Sequence, residues 1–393
     1  MKTPSSRLSR LLKNKSDASA HERIRAQLEA SSLVSNFRVI QKLSPGLDVL
    51  PMLKAEAYGH GAVWAARNLV AESGLDGFGV ATLEEGRQLR EELGTRARRI
   101  RLVVFSGAAH WSEEKGQFCE KFGLTPVIAS QEDWDRFFSQ GWPSRIPYEL
   151  KFNTGMNRLG IHPGQARRIV RQLASLSSEW HPQGVFSHLA SGEDPDCSLS
   201  RTQMERFLNV RSEFEETLGQ VRFHLGNSAA IWNAQKWRLR DLTDLVRPGI
   251  SLYGVPPWKS APAKGLQPVM TLEAKVISIF QLKAGESVGY GGRFRVSSNT
   301  SARIATLAGG YADGIHRGLY EKGSVWLGGR LNRFAGIISM DLSSIECPPQ
   351  AQVGDWAQIL GPHIDIWEQS AKIGSVPYEL LTSVSSRVQR DYV

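Results

Sequence analysis

DVLPMLKAEAYGHG, residues 48–61, is the stretch from which the rest of the chain is read. The apolar run that ends at Leu53 has the character of a buried strand. Tyr58 with Gly59, His60 and Gly61 reads as the glycine-rich loop into which that strand turns. Lys54 stands at the junction. Lysine is seldom buried unless it is paired or chemically used. In a dry pocket its pKa falls, and the neutral amine can form a Schiff base with a carbonyl. Taken alone, a lysine after a strand is ordinarily a surface residue, so its neighbours in the fold decide its meaning.

Seven further runs repeat the pattern of the first between about Ser31 and Pro256: GFGVA, IRLVVFSG, TPVIAS, YELKFN, GVFSHL, VRFHLG and LVRPGISLYG. Segments such as TLEEGRQLREELG, HPGQARRIVRQLASL and the stretch from Ser198 to Leu218 separate them with helical periodicity. Repeated βα units of this number predict a parallel (β/α)8 barrel, over 31–262, rather than a doubly wound sheet. After PPWKSAPAKGLQP the texture changes to short strands punctuated by glycine turns: VMTLEAKVISIF, ESVGYGGRF, ARIATLAGG, SVWLGG, NRFAGIISMD and WAQILG. A short helix is expected around Ile364–Ile373. The fold class is therefore α/β, with an N-terminal TIM-like barrel followed by a mostly β C-terminal domain over 263–393.

Composition bounds the function. The 393 residues, 41% hydrophobic and 22% charged, are those of a globular protein. No run approaches the roughly 20 apolar residues that span a bilayer. Residues 1–30 open with a basic, serine-rich stretch without the apolar core of a secretory signal. They read as a disordered or partly helical arm on a cytoplasmic protein. Cys119, Cys197 and Cys347 are too scattered for a disulfide framework or a metal site. The net charge of +9 (48 basic against 39 acidic) is dispersed and accompanies no nucleic-acid-binding module, so a nucleic-acid partner is not expected.

Chemistry on such a barrel sits where strands end. Those ends supply Lys54 and Tyr58, then Lys151, Asn153 and Arg158, then His188, then Asn227 and Ser228, and finally Arg247, Gly249 and Ile250. GNSAA and RPGIS fall at the seventh and eighth strand ends, where a phosphate site is expected, and Gly249 lets backbone N–H groups approach an anion. A Schiff-base lysine and a phosphate cradle on one barrel point to pyridoxal 5'-phosphate. Arg247 facing its ring nitrogen can only donate, which weakens the electron sink and suppresses side reactions.

PMLKAEAYGHGA, KFNTGMNRLGI, FSHLASGED, GNSAA, RPGISLYG, VGYGGRF, GGYADGIHR, ISMD and YELLTSVSSRV occur in the order seen in alanine racemases, a family this chain resembles over nearly all of 31–393. The resemblance implies an amino acid racemase interconverting L- and D-alanine to supply D-alanine for peptidoglycan. It also implies a homodimer with active sites shared between one subunit's barrel and the other's β-domain. Lys54 resembles the lysine that holds the cofactor and acts on the D-face, and Tyr290 the opposing base from the partner subunit. His188 is similar to the histidine behind the cofactor ring, hydrogen-bonded toward Arg247. Tyr58, Ser228, Gly249, Ile250 and Tyr378 match positions around the phosphate. Arg158 and Met340 match those that meet the substrate carboxylate, and Lys151 matches a lysine often carbamylated.

Three departures stand out. Asn153 replaces an aspartate, Glu56 replaces an asparagine, and Ile337 replaces an arginine that lines the substrate corridor beside Tyr311, Asp313 and Arg317. Loss of that cation suggests a rival reading, a racemase of the same fold with another or broader amino acid preference, such as serine. A non-catalytic cofactor-binding barrel is a further rival. Such stand-alone barrels lack the β-domain that carries Tyr290 and Met340.

Overall fold

The computed structural model describes residues 22–94, 99–219 and 221–393. The expected arm lies outside them up to residue 21, as does part of the basic cluster RARRIR. The described chain forms two compact units, residues 30–267 and residues 22–29 with 268–393.

The first unit is the barrel. Strands Gly77–Val80, Arg101–Val104, Thr125–Ile128, Glu149–Lys151, Gly184–Phe186 and Phe223–His224 form one curled parallel sheet in that order. After Leu225 the seventh strand continues as Gly226–Asn227, which pairs with Leu245–Arg247, and this pairs with Asp48–Val49. Parallel bridges from Val49 to Leu75 and from Met52 to Gly79 close the ring. All eight expected strands are present, each shorter than its apolar run. Leu50, Val103, Val127, Ala129, Phe186 and Leu245 form the packed interior, as side chains rather than a channel fill such barrels. The intervening helices are started by side chains. Thr82 and Glu85 form a capping box at the head of Leu83–Leu93. Ser112 and Ser130 cap Glu113–Phe122 and Gln131–Ser139. Ser198–Leu218 is a single helix, as read.

The second unit is built on the long strand Met270–Leu282. It pairs antiparallel with Ala302–Leu307, Trp356–Leu360 and Ile24–Leu28, and the last is flanked in parallel by Gln389–Tyr392. The arm expectation therefore fails for residues 24–28, which form a sheet strand. Its alternating buried and half-exposed residues have the two-residue period of a sheet. Its register partners lie far along the chain, Ala26 opposite Leu272 and Arg390.

The boundary between the units also moves, from 263 to 268. Lys264 donates to the Trp232 carbonyl, and the Trp232 indole donates to the Pro262 carbonyl. Asn36 grips both the N–H and the C=O of Gln267. These bonds stitch the proline-rich segment to the barrel. NRFAGIISMD is not one strand: Arg330–Arg333 is extended, and the chain then turns at Gly336, whose φ is +79°. A Cβ there would stand 2.7 Å from the Val288 carbonyl oxygen, so the turn needs glycine. Ser343–Glu346 is a strand absent from the sequence reading, and the late helix spans Ile366–Ala371.

Candidate active site

Lys54 opens a turn whose backbone no glycine pattern announces. Ala55, Glu56, Ala57 and Tyr58 all have φ between 51° and 55°, a full turn of left-handed helix made of L-residues. Each such residue costs about 1–2 kcal/mol, which together is roughly 4–8 kcal/mol. Specific bonds hold the strained turn in place. Glu85 accepts from Ala55 N at 2.7 Å, and Glu56 accepts from Ala62 N at 3.1 Å. The Tyr58 and His60 rings pack on Tyr253 at 4.9 and 4.5 Å, and the Tyr253 hydroxyl donates to the Met52 carbonyl at 2.8 Å. Strain held by its surroundings is a feature of functional sites. The charge of Glu56 serves the start of the Ala62–Leu69 helix.

Lys54 itself is exposed at the barrel mouth, which corrects the expectation of a buried amine. Its pKa is nevertheless lowered, first by partial desolvation and then by the Arg158 charge, with Glu85 acting in the other direction. Lys151 is the buried lysine. Burial, Arg158, Arg247 and Lys54 together push its pKa down to about 8. Lys54, Lys151 and Arg158 make no ion pair with any described residue. The mouth is therefore a cluster of cations without an ion-paired partner among the described residues, and Glu85 is the opposing charge felt at Lys54.

Beside it lies a cradle of small groups. Gly249 N donates to the Ser228 hydroxyl at 3.0 Å. A Cβ on Gly249 would stand 2.4 Å from the Tyr58 hydroxyl, so only glycine fits. Ser228 begins the short helix Ser228–Trp232, and Ile250 begins the 3-10 turn Ile250–Tyr253, so backbone N–H groups of two turns start here. These donors and the nearby cations suit an anionic ligand carrying a carbonyl that an amine can capture.

Two assignments change. Asn227 is spent on the fold: its Oδ1 accepts from Ala230 N at 3.0 Å and its Nδ2 donates to the Leu189 carbonyl. It is a helix cap rather than a side chain turned to a ligand. The histidine bonded to Arg247 is His224, not His188. Arg247 Nη1 lies 2.6 Å from His224 Nδ1, and Nη2 donates to the Ser187 carbonyl at 2.8 Å. The register explains this: Phe186 is paired with His224, whereas His188 lies two residues past the strand. Burial and the charges of Arg247, Lys151, Arg158 and Lys54 hold the His188 pKa at about 3, so the ring is neutral. His224, Glu149 and Glu85 did not enter the sequence reading. The alternation in YELKFN, which puts Glu149 and Lys151 on one face, was the signal for Glu149.

Tyr290, Met340 and Tyr378 all belong to the second unit. Tyr290 is 71% exposed and Met340 52%. Their loops pack together: Gly289 abuts the Ile337 backbone, and Tyr311 N and Ala312 N donate to the Ser339 and Met340 carbonyls. Tyr378 is in the helix Pro377–Thr382. A hollow of about 360 Å³ is lined by Tyr311, Gly314, His316, Arg317 and Ser383. Asp313 is not among these residues. It is wholly buried, paired with Arg23 at 2.8 Å and facing Arg387 at 3.4 Å. Arg23, inside the expected arm, is thus a structural anchor.

These features define a class: an enzyme with a closed parallel barrel and a β-unit, its amines and anion cradle at the carboxyl ends of the barrel strands. Residues 28–257 match the family model "Alanine racemase, N-terminal domain" and residues 269–392 match "Alanine racemase, C-terminal domain". The chain belongs to the alanine racemase family. It is 34% identical over 386 residues to the alanine racemase of Carboxydothermus hydrogenoformans, covering 94% of this chain and 99% of that one. It is 35% identical over 372 residues to the catabolic alanine racemase of Pseudomonas aeruginosa, covering 94% and 98%. The alanine racemase of Streptomyces coelicolor A3(2) superposes with a TM-score of 0.85 at 29% identity, covering 96% and 99% of the two chains. That of Bartonella henselae, solved with covalently bound pyridoxal phosphate, superposes with a TM-score of 0.82 at 28% identity, covering 94% and 99%.

Proposed function

We propose that this protein is a pyridoxal 5'-phosphate-dependent racemase that interconverts L- and D-alanine in the cytoplasm and supplies D-alanine for peptidoglycan. The observation that carries the reading is the cluster of unpaired cations beside the Ser228–Gly249 cradle, which suits an anionic carbonyl cofactor. Tyr58, Ser228, Gly249, Ile250 and Tyr378 would hold its phosphate, Lys54 its carbonyl carbon, and Arg247 its ring nitrogen, with His188 behind the ring. When bound, the cofactor draws electrons from the substrate Cα and makes its proton removable. Inversion then requires a proton taken from one face and returned on the other. Lys54, with its lowered pKa, moves the proton on the D-face. Tyr290 of a second copy moves it on the L-face. The exposure of Tyr290 and Met340, on loops that pack together, supports this by leaving both open to a second copy.

Arg158 and the Met340 backbone hold the substrate carboxylate. Lys151 is carbamylated: a buried ammonium beside three cations lacks a counter-charge, and its pKa of about 8 leaves part of the amine free to take up CO2. The added carboxylate then orients Arg158.

A racemisation assay over a panel of amino acids tests the reading, and absence of turnover with alanine would refute it. Mixing two inactive variants tests the shared site. If sites are shared, a hybrid of Lys54→Ala and Tyr290→Phe subunits has one site with both changes and one intact site. Random mixing then restores about a quarter of wild-type activity; no recovery would show that each site lies within one chain. Ile337→Arg tests the corridor. Restoring the cation should narrow the preference toward alanine, and an unchanged panel would remove Ile337 as a specificity residue.

A further inference from the structure

His224 is where the barrel interior becomes one connected polar chain. The Arg247 guanidinium offers only donors, so the His224 Nδ1 that it meets at 2.6 Å must be a lone pair. The proton of the neutral ring is then on Nε2, which faces Glu149 Oε2 at 3.2 Å. Both side chains are wholly buried. The Glu149 Oε1 atom takes a guanidinium N–H of Arg101. Arg101 also grips Asp76, and Arg222 joins Asp76 to Asp48. The imidazole lies against the Phe186 ring at 4.5 Å and 15°, and the Arg247 guanidinium lies over the same ring at 4.9 Å.

Burial by itself would raise the pKa of Glu149. The neighbouring His224 and Arg101 outweigh that and hold it below the usual carboxylate range, with Arg101 as the standing cation. Burial pushes Arg247 down to about 10, and Glu149 works against that fall. A negative charge inside the barrel is therefore relayed through one neutral ring to a buried cation.

We propose that Glu149, held by Arg101, is a positioning residue: it keeps the His224 proton on Nε2 and Nδ1 as an acceptor, and so fixes the Arg247 guanidinium in place for the cofactor ring. This rests on the reading of Arg247 as the ring-nitrogen donor. It adds two residues that touch neither substrate nor cofactor. Among the described residues Arg247 has two bonded partners, His224 and the Ser187 carbonyl. A rotated or reprotonated imidazole would present an N–H to an N–H and release one side of the fork. The Glu149 carboxylate is the group that opposes this, because its charge, 3.2 Å from Nε2, favours a proton on that nitrogen and makes Nδ1 a stronger acceptor.

The test uses the full chain with ¹⁵N-labelled histidine, first without cofactor. The His224 Nε2 should be protonated and Nδ1 bare. Glu149→Gln keeps the shape but removes the charge. Its Nε2–H signal should move upfield and exchange faster with solvent. In the cofactor-loaded enzyme, the absorbance of bound pyridoxal phosphate should shift, and kcat for alanine should fall about tenfold while KM changes less than twofold. Arg101→Lys, which keeps the counter-charge, should move the His224 signal in the same direction by less. A proton on Nδ1 in the wild type overturns the proposal. So does a Glu149→Gln protein with lowered Tm but unchanged His224 signals and unchanged kcat, since the pair would then serve only the fold. If the wild type fails to racemise alanine, the function assigned above is wrong, and the imidazole spectrum still decides this one.

Discussion

The two ends of one barrel strand hold charge in opposite ways. Glu149 and Lys151 lie two residues apart in Glu149–Lys151 and share a face. At the amino end Glu149 is matched: it meets Arg101, Arg101 meets Asp76, and Arg222 spans Asp76 and Asp48. At the carboxyl end Lys151 is mismatched, with Lys54, Arg158 and Arg247 as its charged neighbours. Ion pairs closed on themselves support a fold and have little left to offer a ligand. Cations held together without partners burden the fold, and that cost is recovered only when an anion arrives. The difference separates the end that builds this protein from the end that works.

Three measurements can break or sharpen that contrast. The largest effect is expected at the working end. Lys54→Ala should lower turnover on the order of 10⁴-fold and abolish the cofactor absorbance, yet leave the stability of the cofactor-free protein within about 0.5 kcal/mol. A marked loss of stability in chemical denaturation would show that Lys54 is structural. At the building end the order reverses. Arg101→Met leaves the wholly buried Glu149 without its cation and should cost about 3–5 kcal/mol of unfolding free energy in urea titrations. A loss below 1 kcal/mol would mean that the ladder is already solvated.

The smallest effect is a pH slope. The Lys151 pKa is lowered, so between about 8 and the unperturbed 10.5 the unfolded chain binds more protons than the folded one. Stability should therefore rise with pH across that window in the unmodified protein. Lys151→Met should remove that increment. Added bicarbonate should flatten it by converting the amine to a carbamate, seen as the mass of one CO2 in the intact protein. A slope unaffected by the substitution would place the titration elsewhere.

Strand positions, the helix of Ser198–Leu218 and the lysine at the first strand end were legible because each depends on local periodicity and on the rule that barrel loops follow strand ends. Partner choice was not. His188 and His224 both stand near strand ends in sequence, and only the pairing of Gly184–Phe186 with Phe223–His224 puts His224 against Arg247. Asn227 reads as a ligand residue until the helix it caps is seen.

The sequence by itself determined the eightfold alternation, the change of texture near Pro256, and the chemistry available at Lys54, Lys151, Ser228, Gly249, Arg247 and Tyr290. Composition and short-range spacing carry that information. Tertiary structure alone decided that Ala55–Tyr58 take a left-handed turn, since bonds from Glu85 and packing on Tyr253 hold the strained backbone. It alone took Ile24–Leu28 into a sheet, because its partner strands lie more than two hundred residues away. It alone matched the charges at one barrel end and left them bare at the other. Charge pairing depends on which strands become neighbours, and neighbours are set by closure of the ring.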